Sequence, residues 1–170
     1  MNKELIINSS AQGVQIALLE DKKLVELHNE KADASFNVGD LYLGRVKKLI
    51  PGLNAAFVDV GFEKDAFLHY TDLSPFAKSL LKFTQLSINS PAASQPNFST
   101  FTVEAEIVKT GKINEVLGQK PNVLVQILKE PIAAKGPRLS CEISLPGRFV
   151  VITPFNDIIA VSRKIHSAEE

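Results

Sequence analysis

Short strand-like runs separated by turn residues recur along the chain, and they limit its fold more than any other feature. The runs are rich in Val, Ile, Leu and Phe, with Gly, Pro, Asn and Asp between them. They read ELIINS, VQIALLE, KLVELHN, LYLGRVKKLI, PGLNAAFVDVG, DAFLHYTDL, NVLVQILKEP, RLSCEISLPG, RFVVITPF and DIIAVSRKI. No unit repeats at the length of a solenoid. The pattern predicts an all-β fold.

The order of the runs predicts three parts. The first three form an antiparallel meander with turns near Gly13 and Asp21, too small to be a domain alone. The next five form a five-stranded Greek-key barrel of the OB type. Gly44 and Gly61 interrupt two of its strands, which indicates bulges or tight bends. The last two runs form a C-terminal β-hairpin that turns at Asn156–Asp157.

One insertion, at about 74–120, separates the third and fourth barrel strands. FAKSLLKF predicts one or two helical turns, with Ser74 as the cap and Pro75 at the first position. SINSPAASQPNFST has no hydrophobic period and predicts a mobile loop. KINEVL predicts a short helix that leads into the fourth strand.

Charge and cysteine content exclude several classes of protein. The 170 residues carry 19 basic and 19 acidic side chains, so a globally basic nucleic-acid binder is excluded, although a local basic face is not. Cys141 is the single cysteine, which excludes an internal disulfide and a multi-cysteine zinc site and suits a reducing compartment. The first residues do not have the layout of a signal peptide, and no apolar run has the length of a membrane span. We expect a soluble, cytoplasmic protein that does not bind a membrane.

The run AAFVDV offers a face for binding. Alternation places Phe57 on one face of the strand with Ala55 and Asp59. The opposite, wholly apolar face holds Ala56, Val58 and Val60. Phe57 is therefore expected to point outward, where a nucleic-acid base can stack on it. Phe67 in the next strand is a second candidate, and packing inside the barrel remains the alternative for both rings.

Basic side chains near these rings could line a groove. Arg45 and Lys47 share one face of the first barrel strand, and Lys64 and His69 lie close to Phe67 in sequence. They could attract phosphate, or they could form an ordinary solvated surface. His69 has no partner at metal-ligand spacing, so a metal site is rejected.

Three further residues are given structural roles. Asp59 and Asp65 could suggest a catalytic carboxylate pair, but no third ligand or base lies nearby. Cys141 lies in the alternating run RLSCEISL and is expected to pack in the core. We therefore predict no catalytic residue and no metal ligand in this sequence.

The stretch GDLYLGRVKKLIPGLNAAFVDVGFEKDAFLHYTDL resembles the S-one-type RNA-binding domain, an OB-type barrel named after a ribosomal protein. More narrowly, LNAAFVDVG followed by AFL, then KGPRLSCEISLPGRFVV, and finally VSRKI resemble the N-terminal part of the ribonuclease E/G family. The likeness covers nearly the whole chain and is weakest in the insertion. That family is described as endoribonucleases of RNA processing and decay, which cleave single-stranded RNA and prefer a 5′-monophosphate end.

The resemblance implies a division of the chain and further roles. Residues 1–36 would be strands of a split ribonuclease-H-like subdomain, 37–145 the S-one-type domain, and 146–170 the start of a 5′-phosphate sensor. Lys135 would lie against RNA, and Gly136 would let the backbone come close to it. The full-length enzyme would be a homo-oligomer that uses Mg²⁺, held by two aspartates of a later domain, and possesses a Cys-rich zinc link. These aspartates and cysteines are not in this sequence, which is expected to be an inactive N-terminal fragment with no cofactor of its own.

Two other functions stay open. One is a stand-alone single-stranded nucleic-acid-binding OB module without nuclease activity. The other is a purely structural assembly domain. The strands before residue 37 favour the ribonuclease hypothesis, because a free OB module has no role for them.

Overall fold

Strands dominate the computed structural model, which describes residues 2–31, 36–90, 96–97, 100–157 and 160–163. The chain divides into two units, Met1–Asn37 and Val38–Glu170. The strands are β1 (Lys3–Ser10), β2 (Gly13–Glu20), β3 (Lys23–Lys31), β4 (Leu41–Ile50), β5 (Ala55–Asp59), β6 (Ala66–His69), β7 (Asn122–Lys129), β8 (Arg138–Ser140), β9 (Leu145–Pro146), β10 (Val150–Ile152) and β11 (Ala160–Val161). The α-helices among the described residues are α1 (Ala77–Asn89) and α2 (Ile113–Leu117).

The first unit contains the predicted meander. Its strands pair antiparallel in the order β1-β2-β3, which confirms the prediction. Asp21 and Lys22 join β2 to β3 with φ angles of 48° and 66°. Two successive positive φ angles are what a two-residue type I′ hairpin requires, so Asp21 serves the predicted turn.

A closed barrel forms the centre of the second unit. The strand order is β4-β5-β6-β8-β7, and β7 returns to pair with β4. The β6–β8 pair is parallel, and the other four pairs are antiparallel. This is the order expected for the OB type, so the predicted all-β barrel is confirmed.

The inner faces of the strands fill the barrel with apolar side chains. Val46, Val58, Leu68 and Leu139 are at most 2% exposed. Gly44 leaves room for this packing, because a Cβ atom there would lie 2.5 Å from Cγ1 of Val58. Gly44 thus permits close packing inside an unbroken part of β4, whereas the sequence indicated a bulge or bend at this residue.

The insertion contains a longer helix than the sequence predicts. α1 has 13 residues, and four of its five buried residues, Ala77, Leu80, Leu81 and Thr84, follow the i, i+3, i+4, i+7 spacing of one helical face, with Ser79 the fifth. The predicted start of the helix is wrong: Phe76 is the N-cap and has no side-chain cap, so neither Ser74 nor Pro75 has the predicted place. Oγ of Ser74 instead accepts a hydrogen bond from the N–H of Phe76 at 3.1 Å in the turn before the helix. α2 confirms the predicted second helix. Much of the predicted loop after α1 lies outside the described residues.

The C-terminal strands form a small sheet in the order β11-β10-β9, and β10 with β11 makes the predicted hairpin. A turn between them is closed by a hydrogen bond from the N–H of Asn156 to the carbonyl of Thr153, so it centres earlier than Asn156–Asp157. In the described residues, no helix is both long and apolar enough to cross a membrane. The division into ribonuclease-H-like, S-one-type and sensor parts stays a prediction.

Candidate nucleic-acid interface

Phe57 and Phe67 lie side by side on the outer surface of the barrel. They are directly opposite each other in the β5–β6 register, with ring centroids 6.1 Å apart and an edge-to-face angle of 67°. Both rings are partly exposed, whereas Ala56 and Val58 are 0% exposed on the inner face. The alternation therefore separates core from surface at Phe57 as predicted, although Ala55 is also buried, opposite His69.

These two rings line a groove of about 600 Å³. The groove is lined by Phe57, Lys64, Asp65, Phe67, Ala134, Lys135, Gly136 and Arg138. Four of the residues predicted for RNA binding, the two phenylalanines with Lys64 and Lys135, thus come together in one place. The combination offers flat apolar surface for a base and ammonium groups for a phosphate.

The loop that carries Lys135 rests against the β5–β6 connection. A Cβ atom on Gly136 would lie 2.3 Å from the backbone oxygen of Asp65 and 2.7 Å from that of Lys64. No residue other than glycine fits this approach without a backbone shift. Gly136 thereby holds Lys135 at the rim of the groove, beside Lys64.

A β-bulge in β4 sets the positions of the basic residues on that strand. Arg45 pairs with Asp59 and Lys48 pairs with Phe57, so Lys47 is the extra residue between them. Nζ of Lys47 lies 3.0 Å from Oδ2 of Asp59 and 3.4 Å from Oδ1 of Asp65. Lys47 is therefore held between two carboxylates in this geometry.

The charges around Lys47 shift two pKa values. The hydrogen bond and the charge of Asp59, followed by the charge of Asp65, raise the pKa of Lys47. The pKa of Asp59 is lowered, first by the hydrogen bond from the N–H of Gly61 at 3.0 Å and then by Lys47. The two aspartates thus hold a lysine, which fits the structural role that the sequence suggested for them.

Arg45 lies in a second, smaller depression of about 390 Å³. That depression is lined by Arg45, Val46, Lys47, Asp59, Gln119 and Lys120. Lys47 lines this depression and Asp65 lines the first groove, so the ion pair between them connects the two. Arg45 and Lys47 are consequently close together, but outside the aromatic groove.

His69 extends the aromatic row along β6. Its ring stacks beside Phe67 with centroids 6.4 Å apart and an interplanar angle of 24°. Nδ1 of His69 accepts a hydrogen bond from the N–H of Thr71 at 3.2 Å and lies 2.7 Å from the Thr71 hydroxyl oxygen. The ring orientation is thus fixed, at the end of the row rather than in the groove.

Two basic residues that adjoin the rings were missed as sites by reasoning from sequence. Lys48 is opposite Phe57 because of the bulge, and Arg138 is opposite Phe67 in the parallel β6–β8 pair. Simple alternation predicts neither neighbour. The sequence did contain a signal for Arg138, because this residue begins the strand-like run RLS directly after the Lys-Gly segment.

Cys141 is 2% exposed, which confirms its predicted place in the core. Burial, followed by the charge of Asp72, raises the pKa of its thiol to about 12. A thiol with this pKa is neutral at physiological pH and is a poor nucleophile or metal ligand. Its role is packing.

Several proteins named ribonucleases are similar in sequence to this chain. Ribonuclease G of Escherichia coli (strain K12) is 33% identical over 170 residues, which cover 100% of this chain and 31% of that protein. Ribonuclease E of Nostoc sp. is 36% identical over 172 residues, with 100% of this chain and 20% of that protein covered. A ribonuclease E/G-like protein of Porphyra purpurea is 37% identical over 140 residues, with 82% and 22% covered.

No protein-family model matches the chain. The chain spans 31% or less of the length of these three relatives. The match to ribonuclease G nevertheless extends over both units. The chain matches the N-terminal region of the ribonuclease E/G family.

Proposed function

We propose that this chain is the single-stranded RNA-binding part of an endoribonuclease of the E/G family, which acts in RNA processing and decay. The observation that carries the proposal is the Phe57–Phe67 pair, flanked by Lys64 and Lys135 in one groove. The names of the similar proteins support RNA as the ligand. A cytoplasmic location and a homo-oligomeric full-length protein belong to the same proposal.

Stacking and charge would act together in the groove. A base of an unpaired strand can lie on Phe57 or Phe67, while Lys64 and Lys135 neutralise its phosphates. In a duplex the base faces are already stacked on each other, so the two rings have no face to contact. The groove therefore suits single strands.

The remaining predicted residues would contribute at its edges. His69 would continue the stacking surface, and Arg45 would contact a phosphate in the second depression. Lys47 already neutralises Asp59 and Asp65, so its main effect would be to lower the negative charge that the RNA meets. These roles depend on position and charge in the structure.

The proposed cleavage chemistry is not assigned to these residues. No group of three or more His, Cys, Asp or Glu side chains that could hold a metal occurs among the residues that the structure describes. Those residues do not fit a Mg²⁺ or Zn²⁺ site, and we derive no catalytic step for them. We propose Mg²⁺, and zinc where present, only for the full-length enzyme and not for this chain.

A free OB module would explain the groove equally well. It would leave unexplained why β1–β3 also match ribonucleases, since the match to ribonuclease G covers 100% of the chain. The relationship over both units therefore favours the ribonuclease assignment.

Titration of the 170-residue chain with a labelled unstructured RNA, and with the duplex of the same sequence, tests the proposal. We expect saturable binding of the single strand and weaker binding of the duplex. The same mixture with Mg²⁺ should show no cleavage by the chain. Equal affinity for both forms, or no binding of the single strand up to roughly 1 mM protein, contradicts the proposal.

A further inference from the structure

Arg138 is fixed at the edge of the groove by a carboxylate. Its Nε donates to Oδ2 of Asp72 at 2.9 Å and its Nη2 donates to Oδ1 at 3.0 Å. The Asp72 side chain is only 11% exposed, while that of Arg138 is 40% exposed. Nη2 also lies 2.9 Å from Oδ2, so two guanidinium nitrogens contact one carboxylate, which restricts the orientation of the group as well as its position.

Asp72 is itself held firmly on the barrel. It ends the short turn Tyr70–Asp72 that follows β6. Its backbone carbonyl accepts hydrogen bonds from the N–H of Cys141 at 2.8 Å and from the Ser140 hydroxyl at 3.1 Å. The guanidinium is therefore tied to the end of β6, which carries Phe67, and Asp72 is anchored in turn to the end of β8.

The ion pair decides what Arg138 can offer to a ligand. Asp72 compensates its charge and occupies one edge of the guanidinium, so attraction to a phosphate is reduced. A guanidinium donates hydrogen bonds from its edges, so the bonds to Asp72 do not use its flat faces. A guanidinium plane is a stacking partner for aromatic rings and for unpaired RNA bases.

The position of Arg138 continues the row of rings. Phe57, Phe67 and Arg138 are successive cross-strand neighbours on β5, β6 and β8, and all three line the groove. Neighbouring strands lie about 4.8 Å apart. Three flat groups thus lie in line across the barrel surface.

We propose that Arg138 is a third stacking platform for a base of single-stranded RNA and that Asp72 is the residue that positions it. This proposal rests on the proposed function of the groove. Arg138 would then contact a base rather than a phosphate. Asp72 would strengthen RNA binding despite its negative charge, because it orients the guanidinium of Arg138.

Two variants of the 170-residue chain separate these contacts. Arg138→Lys keeps the positive charge but removes the planar guanidinium group. Asp72→Asn removes a negative charge beside the groove and weakens the hydrogen bonds that orient Arg138. If Arg138 stacks, Arg138→Lys should lose roughly 5- to 150-fold in affinity for single-stranded RNA. Its salt dependence should be that of the unaltered chain. Asp72→Asn should also bind more weakly, although charge alone predicts tighter binding.

An oligonucleotide with abasic units is the matched ligand control. On this ligand, the Arg138→Lys protein should bind as well as the unaltered chain, because no base is there to stack. Unchanged affinity of Arg138→Lys for normal RNA, or tighter binding by Asp72→Asn, overturns the proposal. Protection of the Cys141 thiol in each variant verifies that the barrel is folded, and Arg138→Lys alone is decisive if Asp72→Asn unfolds.

The outcomes also distinguish this proposal from the proposed function. If the unaltered chain does not bind single-stranded RNA, both are wrong. If the unaltered chain binds, and Phe57→Ala weakens binding while Arg138→Lys does not, only the role of Arg138 is wrong.

Discussion

Phe57 and Phe67 face each other across β5 and β6 with their ring centroids 6.1 Å apart, and Val58, the next residue along β5, is 0% exposed. Adjacent residues of one strand thus belong to the barrel surface and to the barrel core. Substitutions at Phe57 and at Val58 can therefore measure the contributions to RNA binding and to folding stability separately.

RNA affinity should fall with added salt, but only moderately. Lys64, Lys135 and Arg45 are placed to meet phosphates, whereas Lys47 is already paired with two aspartates. Three contacts at about −0.7 each give a slope of log K against log salt of about −2 for a single strand. Titrations at several salt concentrations measure it. Lys135→Ala should reduce the slope by about 0.7, and a salt-independent affinity would contradict an electrostatic contribution.

Acid should remove the contribution of Asp59 to stability. The N–H of Gly61 and the ammonium of Lys47 lower the pKa of Asp59 below its usual value of 3.8. A carboxyl whose pKa is lower in the folded state stabilises the fold above its unfolded pKa, and this stabilisation is lost as pH falls through the folded pKa.

Asp59→Asn tests this pH dependence. Denaturant unfolding should show the unaltered chain to be more stable than the variant at pH 7. The difference should shrink as pH falls from about 4 to about 2. A difference in unfolding free energy that stays constant over this range would mean that the ionised carboxylate is not its source.

The Cys141 thiol should be unreactive in the folded chain. It is 2% exposed, and burial with the nearby Asp72 raises its pKa to about 12. At pH 8 a thiol reagent should modify it slowly in buffer and rapidly in denaturant, because reaction requires both access and the thiolate. Rapid, complete modification without denaturant would show that β8 and the segment after it open readily.

The order of strand-like runs predicted the barrel, and alternation of residue types predicted the outward position of Phe57. The run AAFVDV distinguishes Phe57 from Val58 because a strand directs successive side chains to opposite faces. Turn residues such as Asp21 marked the ends of strands. These are local signals, and they can be recognised without knowing which strands pair.

Which basic residues lie beside Phe57 and Phe67 depends on how the strands pair, and local sequence patterns do not define that pairing. Lys48 comes opposite Phe57 only because Lys47 is an extra residue in the bulge. Arg138 comes opposite Phe67 only because β6 and β8 pair in parallel across a long insertion. Both relationships depend on barrel closure.

The length of α1 was underestimated for a different reason. Its later turns, TQLSIN, contain Ser and Asn, which have low helix propensity, so the pattern favoured a short helix. The buried residues of α1, which contacts β7, end at Thr84, while Leu86 and Ile88 are 43% and 45% exposed. Packing therefore accounts for the first turns of α1, and nothing in the structure explains its last turn.

The most direct test of the RNA-binding groove compares Phe57→Ala with its neighbour Val58→Ala. Each protein is analysed by thermal unfolding and by titration with single-stranded RNA at a temperature where it is folded. Phe57→Ala should lose roughly 1–3 kcal/mol of RNA affinity with a smaller loss of stability than Val58→Ala. Val58→Ala should lose about 2 kcal/mol of stability and bind RNA normally while folded. A Phe57→Ala protein that unfolds far below Val58→Ala, yet binds RNA like the unaltered chain while folded, would contradict the account.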